Sequence, residues 1–77
     1  VQQNPNDHAA RFELALAAYA QRQSERAITE LLEIVRRNRT WNEDAARKEL
    51  VKIFDALGPT HPATIEGRQR LSSVLFA

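Results

Sequence analysis

The chain has 77 residues, which is enough for one small domain and too few to enclose a large hydrophobic core. Apolar residues make up 43% of it, a fraction typical of folded domains and too high for a disordered segment. Eleven basic and ten acidic residues give a net charge of +1, which argues against a nucleic-acid-binding protein because such proteins usually carry clustered positive charge.

Covalent and membrane features are equally sparse. The chain contains no cysteine, so this segment forms no disulfide and no zinc–thiolate site, which fits a cytoplasmic protein. No stretch approaches the roughly 18 to 20 apolar residues of a membrane-spanning helix. The first residues, VQQNP, lack an initiator methionine and do not form a signal peptide. We therefore expect a cytoplasmic domain, with no membrane partner, that is part of a longer protein.

The first helix is predicted over about residues 5–21. Asn4 can cap it, Pro5 suits the first helical position, and the charge of Asp7 favours the positive end of the helix dipole. Apolar residues recur at spacings of three and four, as in an amphipathic helix: Ala9, Phe12, Leu16 and Tyr19. The polar run QRQ at residues 21–23 ends the helix.

The second helix is predicted over about residues 25–38, with Ser24 as its N-cap and Glu25 in its first turn. Its apolar residues cover a wide arc: Ala27, Ile28, Leu31, Leu32, Ile34 and Val35. A helix that is apolar over such an arc is expected to pack against more than one neighbour.

The third helix is predicted over about residues 42–57. Thr40 and Glu43 match the S/T-x-x-E capping box, in which two side chains satisfy free N–H groups at a helix start. Trp41, inside this box, is expected to pack between the helical hairpins rather than to form an exposed anchor. The predicted buried face is Ala46, Leu50, Ile53 and Leu57, with Val51 and Phe54 beside it. Gly58, followed by proline, ends the helix.

The fourth helix is predicted over about residues 61–75, after the start signal THP at residues 60–62. Its apolar residues are Ile65, Leu71, Val74, Leu75 and Phe76. No sustained alternation of apolar and polar residues predicts a strand. Because the loops are short, successive helices are expected to be antiparallel neighbours. The sequence therefore predicts an all-α fold, a single domain over residues 1–77 of four helices in two antiparallel pairs.

Two helix–turn–helix units in succession indicate a helical repeat, and their spacing is close to the tetratricopeptide period of about 34 residues. The segment LALAAY at residues 14–19 resembles the leucine–small–aromatic core of the first helix of a tetratricopeptide repeat. The segment AITELLEI at residues 27–34 resembles the second helix. The chain departs from the repeat pattern at Arg22, where glycine is usual, and at Arg39, where proline is usual. This resemblance implies a tetratricopeptide-repeat-like α-solenoid.

Three segments carry a further resemblance: LLEIVRRNRTWNEDAARK at residues 31–48, FDALG at residues 54–58 and GRQRLSSVLF at residues 67–76. They are similar to the C-terminal repeat region of thioredoxin-like proteins of the chaperedoxin (YbbN/CnoX) type. Such proteins carry an N-terminal thioredoxin fold followed by helical repeats, and they hold unfolded clients and cooperate with the chaperonin. The resemblance implies that unfolded clients or a chaperonin are the partners, and that any thiol-redox activity belongs to a thioredoxin-like domain outside this segment.

Side chains that could carry chemistry do not form a recognisable site. His8 and His61 lie at different helix starts and lack the spacing of an HExxH metal site. Glu30 and Asp55 are carboxylates on amphipathic helices, where such groups are usually solvated. The serine pair at residues 72–73 has no base at a recognisable motif spacing. We therefore expect no catalytic residue, no metal and no cofactor.

Arg36, Arg37 and Arg39 crowd the end of the second helix, with Arg47 and Lys48 following, and together they are the strongest charge feature. The simplest interpretation is that they compensate the negative end of the helix dipole and pair with nearby glutamates. The alternative is that the first three arginines bind an acidic segment of a partner. Nucleic acid is not an expected partner.

The end of the fourth helix is apolar on more than one side, and Phe76 has no obvious position in a core. An exposed apolar end often marks a protein contact, and fraying of the helix end is the alternative. The predicted contact residues are Leu71, Val74, Leu75 and Phe76, with Arg68 and Arg70 as a polar rim.

These observations predict a protein-interaction module and not an enzyme. The first hypothesis is the client- or chaperonin-facing part of a chaperedoxin-like co-chaperone. Two alternatives stay open: an adaptor that captures a peptide in its concave face, and a module through which a larger protein associates weakly with itself.

Overall fold

The computed structural model describes residues 7–76, and this range contains four α-helices and no strand. The helices are α1 (His8–Ala20), α2 (Ser24–Asn38), α3 (Ala45–Leu57) and α4 (Pro62–Phe76). The all-α fold predicted from the sequence is confirmed. Helix ends agree with the predicted ones to within one residue, except at the starts of α1 and α3.

The first turn of α1 is capped by Asp7, whose carboxylate accepts a hydrogen bond of 3.0 Å from the backbone N–H of Ala10. The sequence predicts Asp7 in the first turn of the helix, but Asp7 is the residue that precedes the helix. The predicted cap Asn4 and the predicted first helical residue Pro5 lie outside the described residues. A side-chain cap satisfies one of the N–H groups that a helix start leaves free.

The end of α1 turns through Arg22, which has a positive φ of 65°. The N–H of Gln23 donates to the carbonyl of Ala18, and the N–H of Arg22 donates to the carbonyl of Tyr19. These two bonds define a Schellman motif, which usually has glycine at its left-handed position. The chain therefore forms the Schellman turn even though arginine replaces the usual glycine at residue 22. As a result, Arg22 adopts a left-handed conformation that favours glycine.

The predicted start of α3 is wrong. Thr40 does not form the capping box, since its hydroxyl donates to Oδ1 of Asn38 at 3.1 Å. Asn42, Glu43 and Asp44 have φ values of 50°, 56° and 63°, so the right-handed helix begins only at Ala45. Left-handed residues cannot form the first turn of a right-handed helix.

The loop before α3 is held by Trp41, which packs against α1. Its ring centroid lies 5.5 Å from that of Phe12, and it meets the ring of His8 edge-on at 6.1 Å. Trp41 is half-buried, and its position before α3 and its contacts with α1 agree with the expected packing between the two hairpins. The left-handed turn at residues 42–44 thus follows a residue that packs against α1, and no side-chain cap from the described residues precedes α3.

The central element is α2, which packs against all three other helices. All six of its predicted apolar residues are buried. The expectation of more than one neighbour is therefore confirmed. Both helices of the second hairpin pack against α2 of the first hairpin. The two helix pairs therefore enclose one continuous hydrophobic core.

The predicted apolar face of α1 is correct only in part: Phe12 and Tyr19 are half-buried and pack on the core. Ala9 is exposed and Leu16 is 38% exposed, whereas Ala15 and Ala18 are buried against α2. Small residues at a helix contact let two helix axes approach closely, so the face that turns inward is the one with alanines. Arg11 follows the same side of the helix and forms a 2.8 Å ion pair with Glu30 of α2.

Small residues also decide which face of α4 turns inward. Ala63, Thr64 and Gly67 are buried, while Ile65, which belongs to the predicted apolar set of this helix, is 48% exposed. On α3, the predicted residues Ala46, Leu50 and Ile53 are buried together with Phe54, and Leu57 is half-buried. The last turns of α4 contribute three half-buried residues that pack on this core: Leu71, Val74 and Leu75.

Candidate protein-docking surface

The most exposed large apolar side chain among residues 7–76 is Phe76, at the end of α4, with 82% of its surface accessible. Leu75, the residue before it, and Leu71 lie four residues apart and therefore on one side of the helix. They are half-buried against the core. The end of α4 is thus anchored by its leucines, and it presents a phenylalanine that has no core position.

A groove of about 250 Å³ runs between α3 and this end of α4. Its apolar walls are Val51 and Phe54 of α3 and the last turns of α4. Arg68 lies at its edge. Its apolar lining suits apolar side chains of another protein. We call it the α3–α4 groove.

A second groove, of about 450 Å³, lies between the same helix end and the loop that joins α2 to α3. Leu75 and Phe76 line both grooves, so the phenylalanine stands between them. On the loop side the walls are polar, with Arg39, Asp44 and Arg47 among them. We call it the loop groove.

The two grooves and the side chains around them form one surface, which we call the C-terminal patch. Its apolar residues are Val51, Leu71, Leu75 and Phe76, and its arginines are Arg39, Arg47 and Arg68. Arg39 donates a hydrogen bond of 3.4 Å to the carbonyl of Leu75, in the last turn of α4. A cation near a helix C-terminus complements the helix dipole, so Arg39 ties the loop to the end of α4.

Four residues predicted for a partner surface lie elsewhere. Arg36 and Arg37 both bind the carboxylate of Glu33, with the Nε of Arg36 at 3.1 Å, and neither lines the two grooves. Arg70 of α4 donates a hydrogen bond of 3.2 Å to the hydroxyl of Thr29 on α2, and Val74 packs against the core. The structure therefore brings Arg39 and Arg68 to Phe76 and leaves the other predicted arginines outside the patch.

The Glu33 cluster is an electrostatic feature of the surface of α2. The hydrogen bond from Arg36 is the main cause of a lowered pKa of Glu33, with a further contribution from Arg37, and burial opposes the shift. In turn, the carboxylate raises the pKa of Arg36. This arrangement satisfies both arginines within one helix, as the simplest interpretation of the sequence had suggested.

Two residues of the patch were not predicted as partner-binding residues. Val51 was placed beside the buried face of α3, but it is 43% exposed and lines the α3–α4 groove. Arg47 was noted only as part of the charge cluster, and it lies 3.6 Å from Asp44 in the loop groove. Arg47 and Val51 are four residues apart and therefore lie on one side of α3. This spacing is the sequence signal from which a shared surface could have been predicted.

Neither histidine belongs to a metal-binding arrangement within residues 7–76, where no group of three or more histidines and acidic residues lies close enough to hold an ion. His61 instead caps α4, because its Nδ1 accepts a hydrogen bond of 3.0 Å from the N–H of Ala63. None of the four described helices is both long enough and apolar enough to cross a membrane.

Comparison with known proteins agrees with this architecture. A family profile described as "Tetratricopeptide repeat" matches residues 1–76. No curated protein and no solved structure matches the chain significantly.

Proposed function

This chain belongs to the tetratricopeptide repeat family, whose helical repeats generally mediate protein binding, and we propose that it is the protein-binding part of a thioredoxin-like co-chaperone. In this proposal the domain binds unfolded clients or a chaperonin through the C-terminal patch. It performs no chemistry of its own and uses no cofactor, and it acts in the cytoplasm.

The exposure of Phe76 is the observation that carries the proposal. A phenylalanine with 82% of its surface in water gains little from folding, whereas burial against a partner would remove that surface from water. The apolar α3–α4 groove and the partly polar loop groove beside it offer space for side chains of the partner. Aromatic residues beside such pockets are frequent energetic centres of protein interfaces.

The co-chaperone part of the proposal is supported by the resemblance of residues 31–48 and 67–76 to the repeat region of chaperedoxins. Those segments include the loop arginine Arg39, the edge arginine Arg68 and Phe76, and the fold brings all three to one surface. The distant parts of the resemblance therefore meet where a partner could bind.

The test compares two substitutions on the same helix, Phe76→Ser and Ile65→Ser. Both remove an exposed apolar side chain, but Ile65 lies near the start of α4 and lines neither groove. We expect Phe76→Ser to weaken capture by an immobilised chaperonin, or suppression of the aggregation of a chemically unfolded enzyme, by roughly tenfold or more. Ile65→Ser should leave both activities unchanged.

Thermal melting of the same variants separates binding from folding. Neither side chain is buried, so both variants should melt close to the unaltered chain. Leu75→Ser is a poor substitute for this test, because Leu75 is half-buried against the core and its loss would also lower stability. Equal capture by both variants would overturn the proposal. So would a stable dimer in sedimentation that Phe76→Ser dissociates, since this would assign the patch to self-association.

A further inference from the structure

We infer, on the basis of the proposed function, that the C-terminal patch selects partner segments in which apolar side chains are flanked by carboxylates. The partner is thus a stretch of another protein chain in which acidic residues flank apolar ones. An exposed apolar stretch without flanking acidic residues would bind less tightly. The inference rests on the charges around Phe76 and on the shape of the two grooves.

The rim of the patch carries an excess of positive charge. Its charged residues are three arginines, Arg39, Arg47 and Arg68, and one acid, Asp44. Asp44 lies within 3.6 Å of Arg47. Within residues 7–76, neither Arg39 nor Arg68 forms an ion pair with a carboxylate. These two guanidinium groups therefore retain donors for acceptors supplied from outside.

The position of these arginines matches the apolar part of the patch. Arg68 borders the α3–α4 groove and Arg39 lines the loop groove, so a cation lies on each side of Phe76. A partner segment lying across the phenylalanine would place apolar side chains in the grooves and its flanking residues near the arginines. Carboxylates there could accept charge-assisted hydrogen bonds, and arginine suits such pairing because its donors form a planar fork.

The same charges disfavour a second copy of this chain as the occupant. A two-fold symmetric dimer apposes one surface with itself, so the arginine rims of two copies would face each other. Like charges across an interface oppose association. From Gly67 to Phe76, α4 carries two arginines and no acid that could relieve this repulsion.

The experiment measures binding of three short synthetic peptides by fluorescence anisotropy. They share the same leucine and phenylalanine positions, and these are flanked by glutamate in the first peptide, glutamine in the second and lysine in the third. We expect the glutamate peptide to bind roughly tenfold more tightly than the glutamine peptide, with the lysine peptide weakest. The preference should shrink at about 0.5 M salt, where the screening length falls to a few ångströms.

Two sets of variants locate the effect. Combining Arg39→Gln with Arg68→Gln should abolish the preference for glutamate and leave binding of the glutamine peptide unchanged. Arg26→Gln is the matched control, because Arg26 is exposed near the start of α2, roughly 20 Å along the helix from Arg39. It should retain the full preference. Phe76→Ala should weaken the glutamate and glutamine peptides equally.

The outcomes separate this inference from the proposed function. Equal affinities for the glutamate and glutamine peptides, both lost in Phe76→Ala, would overturn the acidic preference and keep the patch as a binding surface. A preference that Arg26→Gln reduces as much as the double variant would also overturn the inference, since it would reflect net charge alone. Failure of Phe76→Ala to change any affinity would count against the proposed function and the inference together.

Discussion

Gly67 of α4 lies directly against the aromatic ring of Phe54 of α3: a Cβ atom at residue 67 would approach the Cε1 of that ring to 2.7 Å. The same atom would lie 3.3 Å from the Cγ2 of Ile28 in α2. Both neighbours are buried, so neither can move away without disturbing the core. Gly67 therefore sets the distance at which α4 packs on α2 and α3.

We expect Gly67→Ala to destabilise the domain by about 1 to 2 kcal/mol in chemical denaturation. Alanine has a higher helix propensity than glycine, but the destabilisation caused by overpacking the core is larger than this gain. Ser73→Ala, on an exposed position of the same helix, should change stability little. Adding Phe54→Leu to Gly67→Ala should make the two effects non-additive, because the smaller side chain makes room for the new methyl group. A stabilised Gly67→Ala variant would contradict the close packing.

Thr64 is a second feature of the same helix with an energetic consequence. It is fully buried, and its hydroxyl has no hydrogen-bond partner among the described residues. Burial of an unpaired hydroxyl is unfavourable, and valine has nearly the same shape without the polar atom. Thr64→Val should therefore raise the free energy of unfolding by about 1 kcal/mol, measured by urea titration, whereas Thr60→Val in an exposed turn should not. A loss of stability in Thr64→Val would show that the hydroxyl is satisfied.

The Schellman turn after α1 predicts a stabilising substitution at Arg22. A left-handed conformation costs a side-chain-bearing residue about 1 to 2 kcal/mol, and glycine adopts it freely but loses more entropy on folding. Arg22→Gly should thus stabilise the domain by about 0.5 to 1 kcal/mol in thermal melts. Gln21→Gly is the matched control, because Gln21 has a φ of −91° and gains no such relief. It should be neutral or destabilising, and equal effects of the two variants would contradict the turn geometry.

The ion cluster on α2 predicts a dependence of stability on pH. The pKa of Glu33 is lowered in the folded protein, chiefly by the hydrogen bond from Arg36. Its contribution to stability is therefore fully present above the ordinary glutamate pKa and disappears as the pH falls through the lowered, folded-state value. The difference in unfolding free energy between the unaltered chain and Glu33→Gln should be present at neutral pH and vanish in acid. A difference that is constant with pH would show that the carboxylate does not titrate in this way.

Local sequence patterns determined the fold class and most of the helix limits. The broad apolar arc of α2 predicted a helix with several neighbours, and all of its apolar residues are buried. Gly58 ends α3 with a φ of 96°, as a glycine after a helix is expected to do. Such features depend on residues within one or two turns of each other, so they can be read without knowledge of the packing.

Tertiary packing decided which faces turn inward and where the arginines go. Periodicity placed Leu16 on the apolar stripe of α1, and Ile65 was named in the apolar set of α4, but close approach of the helices buried Ala15, Ala63 and Gly67 instead. The predicted capping box gave way to a left-handed turn beside Trp41, whose contacts lie on a distant helix.

The arginines illustrate the same limit at the candidate site. Arg37 and Arg39 are neighbours in the sequence, yet one binds Glu33 on its own helix and the other reaches the end of α4. The sequence determined that this region is strongly basic. Which arginines border Phe76 was decided by the packing of α3 and α4, because a long side chain finds its partner among groups that only the folded chain brings within reach.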